Sequence, residues 1–551
     1  MAAPDLPIEL WLEILQYLPR SALHGMLGLS RVLFEVVMND LYEEIRFISD
    51  DKAMLKTFDQ MKFAGIASRV RRLLIQPAFL PALEERTGLL PKVQDRLSSR
   101  WWFNKPLRIS PARPVVTFNP LGTPEELEVS RNKALRAATG ALALCHNLQT
   151  VTIVLYDHTA TPQFNLFLDS LWQSPTIGVS NLRSLSIRTT PAKLPRLLLP
   201  LVESSKMFVN LEEVTFDITP SRLELAGNDH NRAVDALKSF FKAFGNNLIA
   251  VNLSSTRLHL VESVLGSMQP LLRLRKFELL TSLSSKQRWQ PENISKFIAN
   301  HASVLEHLTI KPYARRTVYH ESDITYARWI NPGINDATRP SAFAGVVFPK
   351  LKSLDVGLRD PSETAPYTWP PALPSRSHSS LLPNPSIFAP NITSLTLTDV
   401  SLSFPRIRDL VNQLAEDRSG GRILEKLNIM VETLTPPVFD ILASKLPHLR
   451  MLTMDFNIIS DLEEVRTYRE PDRSLEFREL IRARRYPRWK LQYLRLTSVG
   501  FQCSARHPQP TDMGVVAESL PSGVELDSSY DCYCHMALDS PVFNRHMIHH
   551  H

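Results

Sequence analysis

The sequence predicts an α/β protein: a short N-terminal group of helices followed by a long solenoid of strand–loop–helix units. Three observations predict it. A six-residue apolar pattern recurs eleven times between residues 148 and 496. Its two closely spaced apolar positions have the period of a half-buried strand, and several intervals between copies carry helical periodicity. Residues 5–42 instead carry apolar stripes at helical spacing, divided by Pro19, Ser21 and Ser30.

The helical segment comes first. Pro7 suits the first position of a helix, where its missing N–H costs nothing. Ile8, Trp11, Ile14, Leu15 and Leu18 follow at helical spacing, and Pro19 stops the run. Ser21 can cap a second helix carrying Leu23, Met26 and Leu27. Ser30 can cap a third, with Leu33, Phe34, Val37 and Leu41 on one side. Three short helices in so few residues carry more apolar surface than they can hide among themselves, so the excess must be covered by the rest of the chain or by a partner.

The run Leu6-Pro7-x-Glu9-Leu10, then Ile14-Leu15, then Tyr17-Leu18-Pro19, resembles an F-box. Where many members of that family have a Val-Cys-x-x-Trp-like run, this chain has Leu29-Ser30-Arg31-Val32-Leu33-Phe34. The resemblance implies docking on a Skp-type adaptor, and through it on cullin and RING subunits. It implies that Leu6, Pro7, Ile14, Leu15 and Leu18 face the adaptor, with Leu23 and Leu27 behind them.

The repeats follow, as apolar-x-x-apolar-x-apolar. They begin with Leu148-Val151-Ile153 and Leu182-Leu185-Ile187 and end with Leu449-Leu452-Met454 and Leu491-Leu494-Leu496. The intervals are 34, 29, 37, 26, 31, 46, 41, 32, 25 and 42 residues. Tyr42-Ile45-Phe47 and Val70-Leu73-Ile75 are two earlier candidates. Helical periodicity fills residues 51–64, with Leu55, Phe58 and Met61. It also fills 232–244, with Val234, Leu237, Phe240 and Phe241. Strand, loop, helix and loop at this spacing is the leucine-rich-repeat signature, in a longer and less regular form than usual. With the N-terminal segment, the chain resembles the F-box leucine-rich-repeat class, its fungal members in particular. The expected organisation is a three-helix module over 1–42, an irregular horseshoe array over 43–500 and an irregular tail over 501–551.

A solenoid exposes a continuous sheet face, and the alternation says which residues line it. The charged candidates for target binding are Arg188, Glu213, Asp217, Lys276, Glu278, His307, Lys311, Asp355, Lys426, Asp455 and Arg495. Counted by sign with His307 neutral, they are five basic and five acidic. Such a balanced face is not built to track a phosphate backbone.

Three segments interrupt the rhythm, near 96–118, 313–347 and 358–390. The first mixes Trp101, Trp102 and Phe103 with arginines. The second carries Tyr313, Tyr319, Tyr326, Trp329 and Phe343, and long inserts on solenoids often bear binding residues. The third is rich in proline and serine and reads as an extended loop. Residues 462–490 read as a charged helix with a stripe of Leu475, Leu480 and Ile481. Its basic end at Arg482, Arg484, Arg485 and Arg488 is able to meet an acidic partner.

Composition bounds the rest. The chain has 551 residues, 44% hydrophobic and 22% charged, which suits an ordinary globular core. Lys and Arg number 63 against 56 Asp and Glu, a mild net charge of +7. Only 18 glycines occur. The glycine-rich phosphate loops, the G-x-S-x-G elbow and the H-E-x-x-H zinc motif are absent, so no enzyme activity and no cofactor are expected. Cys532-Tyr533-Cys534-His535 has no standard zinc spacing, so no metal is expected there. No long apolar run and no basic leader segment occur, and four scattered cysteines suit a reducing compartment, so cytoplasm or nucleus is expected. The expected function is therefore the non-catalytic substrate receptor of a Skp–cullin–F-box ubiquitin ligase, the array holding an unknown target protein. The alternative is a cullin-independent interaction scaffold. A nucleic-acid-associated protein using Arg100–Arg113 or Arg482–Arg488 is a more remote reading.

Overall fold

The computed structural model describes residues 7–19, 22, 25, 31–81, 123–156, 158–174, 181–219, 228–281, 292–312, 329, 342–343, 345–357, 388–416, 423–460, 474–498 and 510–530. The chain divides into two units, Met1–Leu211 with Thr219–Phe240, and Glu212–Ile218 with Phe241–His551.

The first unit opens with α1 (Ile8–Gln16) and α2 (Arg31–Tyr42). Pro7 sits just outside α1 rather than at its first position, and its carbonyl accepts from Leu10 N at 3.1 Å and Trp11 N at 3.2 Å. Leu15, Leu33 and Val37 form a small core, with Trp11, Leu18 and Val36 packed against it. Phe34 and Leu41 do not join Leu33 and Val37 as the spacing predicts but stay exposed. Of the predicted second helix only Ala22 and Gly25 are described, both helical; Ser21, Leu23, Met26 and Leu27, and Ser30, the predicted cap of the third helix, lie outside the described residues.

Four parallel strands follow in this unit, β1 (Glu44–Phe47), β2 (Arg72–Ile75), β3 (Thr150–Leu155) and β4 (Ser184–Thr189). They pair in sequence order with constant register, Ile45 to Leu73 to Val151 to Leu185. Both early candidate strands are thus present. Helices α3 (Lys52–Gln60), α4 (Ala64–Ala67), α5 (Pro124–Leu142), α6 (Pro162–Gln173) and α7 (Leu194–Glu203) fill the intervals. The starts of α3, α5 and α6 are capped by Asp51, Thr123 and Thr161. Asp51 Oδ1 accepts from Met54 N at 2.8 Å, and Thr123 with Glu126 closes a capping box at α5. Between strands and helices lies an aromatic core, in which Phe47 meets Phe58 at 5.1 Å and Phe167 at 5.7 Å between ring centroids.

The second unit repeats the scheme with ten parallel strands, again paired in sequence order. They are β5 (Glu213–Ile218), β6 (Ala250–Ser255), β7 (Lys276–Thr281), β8 (His307–Pro312), β9 (Ser353–Gly357), β10 (Ser394–Leu402), β11 (Lys426–Leu434), β12 (Met451–Ile459), β13 (Tyr493–Ser498) and β14 (Glu525–Tyr530). Between them in sequence run α8 (Asn228–Phe244), α9 (Leu258–Leu265), α10 (Glu292–His301), α11 (Phe404–Glu416), α12 (Pro436–Lys445), α13 (Ser474–Arg482) and α14 (Pro510–Ser519). In β5 to β13 at least two apolar side chains per strand are buried. One row runs Val214, Val251, Phe277, Leu308, Leu354, Leu395, Leu427, Leu452 and Leu494. Each such side chain removes enough surface from water to stabilise the unit by about 1.5–3 kcal/mol, before chain entropy is set against it.

The register is held at the N-terminal edge of the sheet. There a single carbonyl accepts from two successive amides of the next strand. Arg275 O takes Glu306 N at 2.8 Å and His307 N at 2.9 Å, and Glu306, Lys352, Thr393, Glu425 and Arg450 repeat the arrangement. His301 at the end of α10 is a buried stitch. Its Nε2 accepts from Leu271 N at 2.8 Å, which leaves Nδ1 to donate to Phe297 O at 2.7 Å.

The structure corrects three expectations. The array does not end near residue 500, because β14 pairs with β13 from Tyr493–Glu525 to Ser498–Tyr530. Its third apolar position is occupied by Ser528, so the pattern fails there while the backbone continues. In α13 the buried stripe is Phe477 and Ile481, one helical turn apart, whereas Leu475 and Leu480 are exposed. Two of the insert aromatics are core residues: Trp329 donates to Ser295 Oγ at 2.9 Å, and Phe343 stacks on Phe388 at 5.0 Å. The 96–118 insert lies outside the described residues.

Candidate functional site

Two surfaces carry the predicted site residues. The first is the outer side of α1. Its inward side is fixed by the small core, which turns the opposite side to solvent. Leu10 is 46% exposed, Ile14 42% and Tyr17 80%. Pro7 is exposed as well, and Leu18 is half-buried at the core's margin. Leu15 is a correction. It is only 6% exposed and packs on Leu33 and Val37, so it holds the helices together and is not available to a partner. Leu6, Leu23 and Leu27 lie outside the described residues. Leu10 and Tyr17 belong to the open side but were not among the predicted contacts, although Leu10 is on the same helix at four residues from Ile14.

The helical module is tied to the first strands by Arg69. Its guanidinium reaches Glu35 Oε2 at 2.6 Å and Asn39 Oδ1 at 2.7 Å on α2, and Gly65 O at 3.1 Å beside β2. Tyr42 O–H adds a bond to Gln60 Oε1 at 3.1 Å.

The second surface is the sheet face turned away from the helices. In the second unit the register aligns Thr215, Asn252, Glu278, Thr309, Asp355, Thr396, Asn428, Thr453, Arg495 and Asp527 in one row. Lys311 Nζ meets Asp355 Oδ2 at 2.8 Å. Arg495 Nε lies 3.7 Å from Asp527 Oδ2, which also accepts from Tyr493 O–H at 3.1 Å. Burial and that carboxylate raise the Tyr493 phenol above its usual range. Among the described residues, Asn252 Oδ1 and Asn428 Oδ1 are buried acceptors without a hydrogen-bond partner. Glu213, Lys276, His307, Lys426 and Arg495 are exposed, while Arg188, Glu278, Lys311, Asp355 and Asp455 are half-buried. Asp217 is a correction: it is buried beside Ser254 at the C-terminal end of β5, where both faces of the strand are covered. The alternation rule assumes one open face and fails at that end.

The basic segment after α13 is partly committed to the fold. Arg484 Nε sits 2.9 Å from Asp440 Oδ2 on α12, and Tyr486 O–H donates to Asp440 Oδ1 at 2.8 Å. Burial first, then that carboxylate, raises the Tyr486 phenol. Burial alone pushes the Cys145 thiol up to about 12, which keeps it a thiol and no nucleophile at neutral pH. Among the described residues no three His, Cys, Asp or Glu side chains cluster as a metal site would require, and no helix is long and apolar enough to cross a membrane.

No family model matches the chain, and no curated protein matches it. Among solved structures, one with similarity is described as the crystal structure of the Rad7 and Elc1 complex in yeast. It is 12% identical, with a TM-score of 0.32, and the match covers 60% of this chain and 76% of that one. A likeness so slight carries no weight for fold or function.

Proposed function

We propose that this protein is a non-catalytic recognition subunit of a Skp–cullin–F-box ubiquitin ligase. The N-terminal helices would dock an adaptor, and the leucine-rich-repeat-like array would hold a target protein. The observation that carries the reading is the open apolar side of α1. Leu10, Ile14 and Tyr17 face solvent although the helix already has a core on its other side. A helix apolar on two sides has a second surface to cover. The array supplies the other half, a broad polar sheet face whose strands are paired in step at their starts. Acting this way needs no chemistry of its own. Holding a target near a charged conjugating enzyme raises the effective concentration of the target's lysines there. The protein would work in cytoplasm or nucleus, where such assemblies operate.

The test is co-expression with a Skp-type adaptor and then size-exclusion chromatography. The wild type is expected to co-elute stoichiometrically, and Leu10→Asp with Ile14→Asp to elute alone with its fold intact. A wild type that stays folded and soluble but never co-elutes would leave the cullin-independent scaffold as the better account.

A further inference from the structure

The sheet face is electrically balanced, yet the N-terminal edge of β7 to β9 is not. The turn before β7 and the strand's first residue supply Arg273, Arg275 and Lys276, and the turn into β9 supplies Lys350 and Lys352. The only acid among these edge positions is Glu306, in the turn into β8 between them. Glu306 is shared by two cations, Lys352 Nζ at 2.7 Å and Arg275 Nη1 at 3.7 Å. It offsets one charge of the five and leaves the edge strongly positive. Among the described residues, Arg273, Lys276 and Lys350 have no carboxylate partner, and all three are exposed.

Three adjacent strands span about 10 Å, close to the screening length at physiological salt, so these charges act on a partner together. The His307 ring sits among these charges: its partial burial is the largest effect lowering its pKa, the pull of Glu306 opposes it, and Lys276 and Lys352 add to it more weakly.

The same turns expose two aliphatic side chains, Leu272 at 75% and Val347 at 54%. That pairing selects the partner. Single-stranded nucleic acid is gripped by cations together with aromatic platforms on which bases stack. Among the described residues of these turns the aromatics, Phe343 and Phe348, are buried, and the open apolar side chains are the aliphatic Leu272 and Val347.

We propose that the N-terminal edge of β7–β9 is a docking surface for an acidic protein segment carrying aliphatic side chains. Its carboxylates would meet Arg273, Lys276 and Lys350, and its apolar groups would cover Leu272 and Val347. This deepens the target-receptor reading by naming the chemistry of the target, but the surface would bind such a segment whether or not α1 docks an adaptor.

The experiment is fluorescence anisotropy on the full chain, with a labelled peptide of glutamate and leucine, its lysine-for-glutamate counterpart, and an oligo(dT) of similar length. The wild type is expected to bind the acidic peptide at low ionic strength and to ignore the basic one. Arg273→Glu, Lys276→Glu and Lys350→Glu together should weaken binding at least about tenfold with an unchanged melting curve. Leu272→Ser with Val347→Ser should weaken it without altering its salt dependence. Two results would overturn the proposal: a triple variant that binds the acidic peptide like the wild type, or oligo(dT) binding that is as tight and indifferent to the aliphatic changes. The same variants should retain adaptor co-elution, so failure here and failure of the ligase reading are told apart.

Discussion

The N-terminal helices and the strands of the second unit solve the same problem to different degrees. In β7, Phe277 is fully buried, meets Phe297 at 4.8 Å, and has apolar neighbours in register on both sides. In α1 and α2 the described core is Leu15, Leu33 and Val37, with Leu10, Ile14, Phe34 and Leu41 left outside it. The strand is closed by its own neighbours. The helices leave Leu10, Ile14, Phe34 and Leu41 open to solvent. Local sequence is equally apolar in both, so hydrophobicity does not separate structural from interacting surface; what each side chain has opposite it does.

The largest effect should come from the closed region. Phe277→Ala should destabilise the second unit by about 3–5 kcal/mol, through lost transfer energy and the cavity left behind. Denaturant unfolding by circular dichroism measures it. Leu33→Ala should cost about 2–4 kcal/mol in the helical core, seen as faster amide exchange in α1 and α2 with the main transition unmoved. A main transition shifted as far as by Phe277→Ala would erase the contrast between the regions. Next comes Glu262 on α9, whose carboxyl is pushed up to about 7 by burial, the largest effect, against the pull of the Asn293 and Ile294 amides. Its carboxylate oxygens approach these amides without closing hydrogen bonds of ordinary geometry. Since the folded value lies above the unfolded one, its stabilising contribution is present below about pH 4.5 and lost as pH rises to about 7. Glu262→Gln should therefore gain about 1–3 kcal/mol on the wild type at pH 8 and little at pH 4. His301 has the opposite sign. Burial lowers its value, so its contribution is present above the usual histidine range and lost as pH falls through it, and His301→Gln should flatten stability between about pH 7 and 5. The smallest effect should be Ile14→Asp, within about 0.5 kcal/mol on stability. A larger loss would mean that the open side of α1 is covered by this chain after all.

The strands were legible because their signal is local. In Leu274-Arg275-Lys276-Phe277-Glu278-Leu279 both periods can be read from six residues, and the structure places strand β7 there. The last strand was not legible, since Ser528 stands where the pattern needs an apolar residue and only pairing with Leu496 reveals it. Leu15 and Ile14 could not be told apart, because a stripe on a helix says which residues are neighbours and not which neighbour is inside. The charged edge escaped for another reason. Counting along the strand face balances the signs, whereas Arg275 and Lys352 precede their strands and escape that count, a grouping that the pair of positions between the first two apolar residues of each repeat does reveal.

The shared carbonyls at the N-terminal edge have a consequence for how such a chain can change length. Each strand is set against the last by Arg275, Glu306, Lys352 and their counterparts before its first apolar residue is placed, so the register owes nothing to the segment beyond the strand's end. Spacing between repeats accordingly ranges from 25 to 46 residues while the pairing at the strand starts stays in step. The interruptions at 313–347 and 358–390 begin directly after the last residues of β8 and β9, and the one at 96–118 falls in sequence between β2 and β3. One margin of the molecule is thus a fixed ruler and the other is open to insertion, where new sequence can be tried without disturbing the fold.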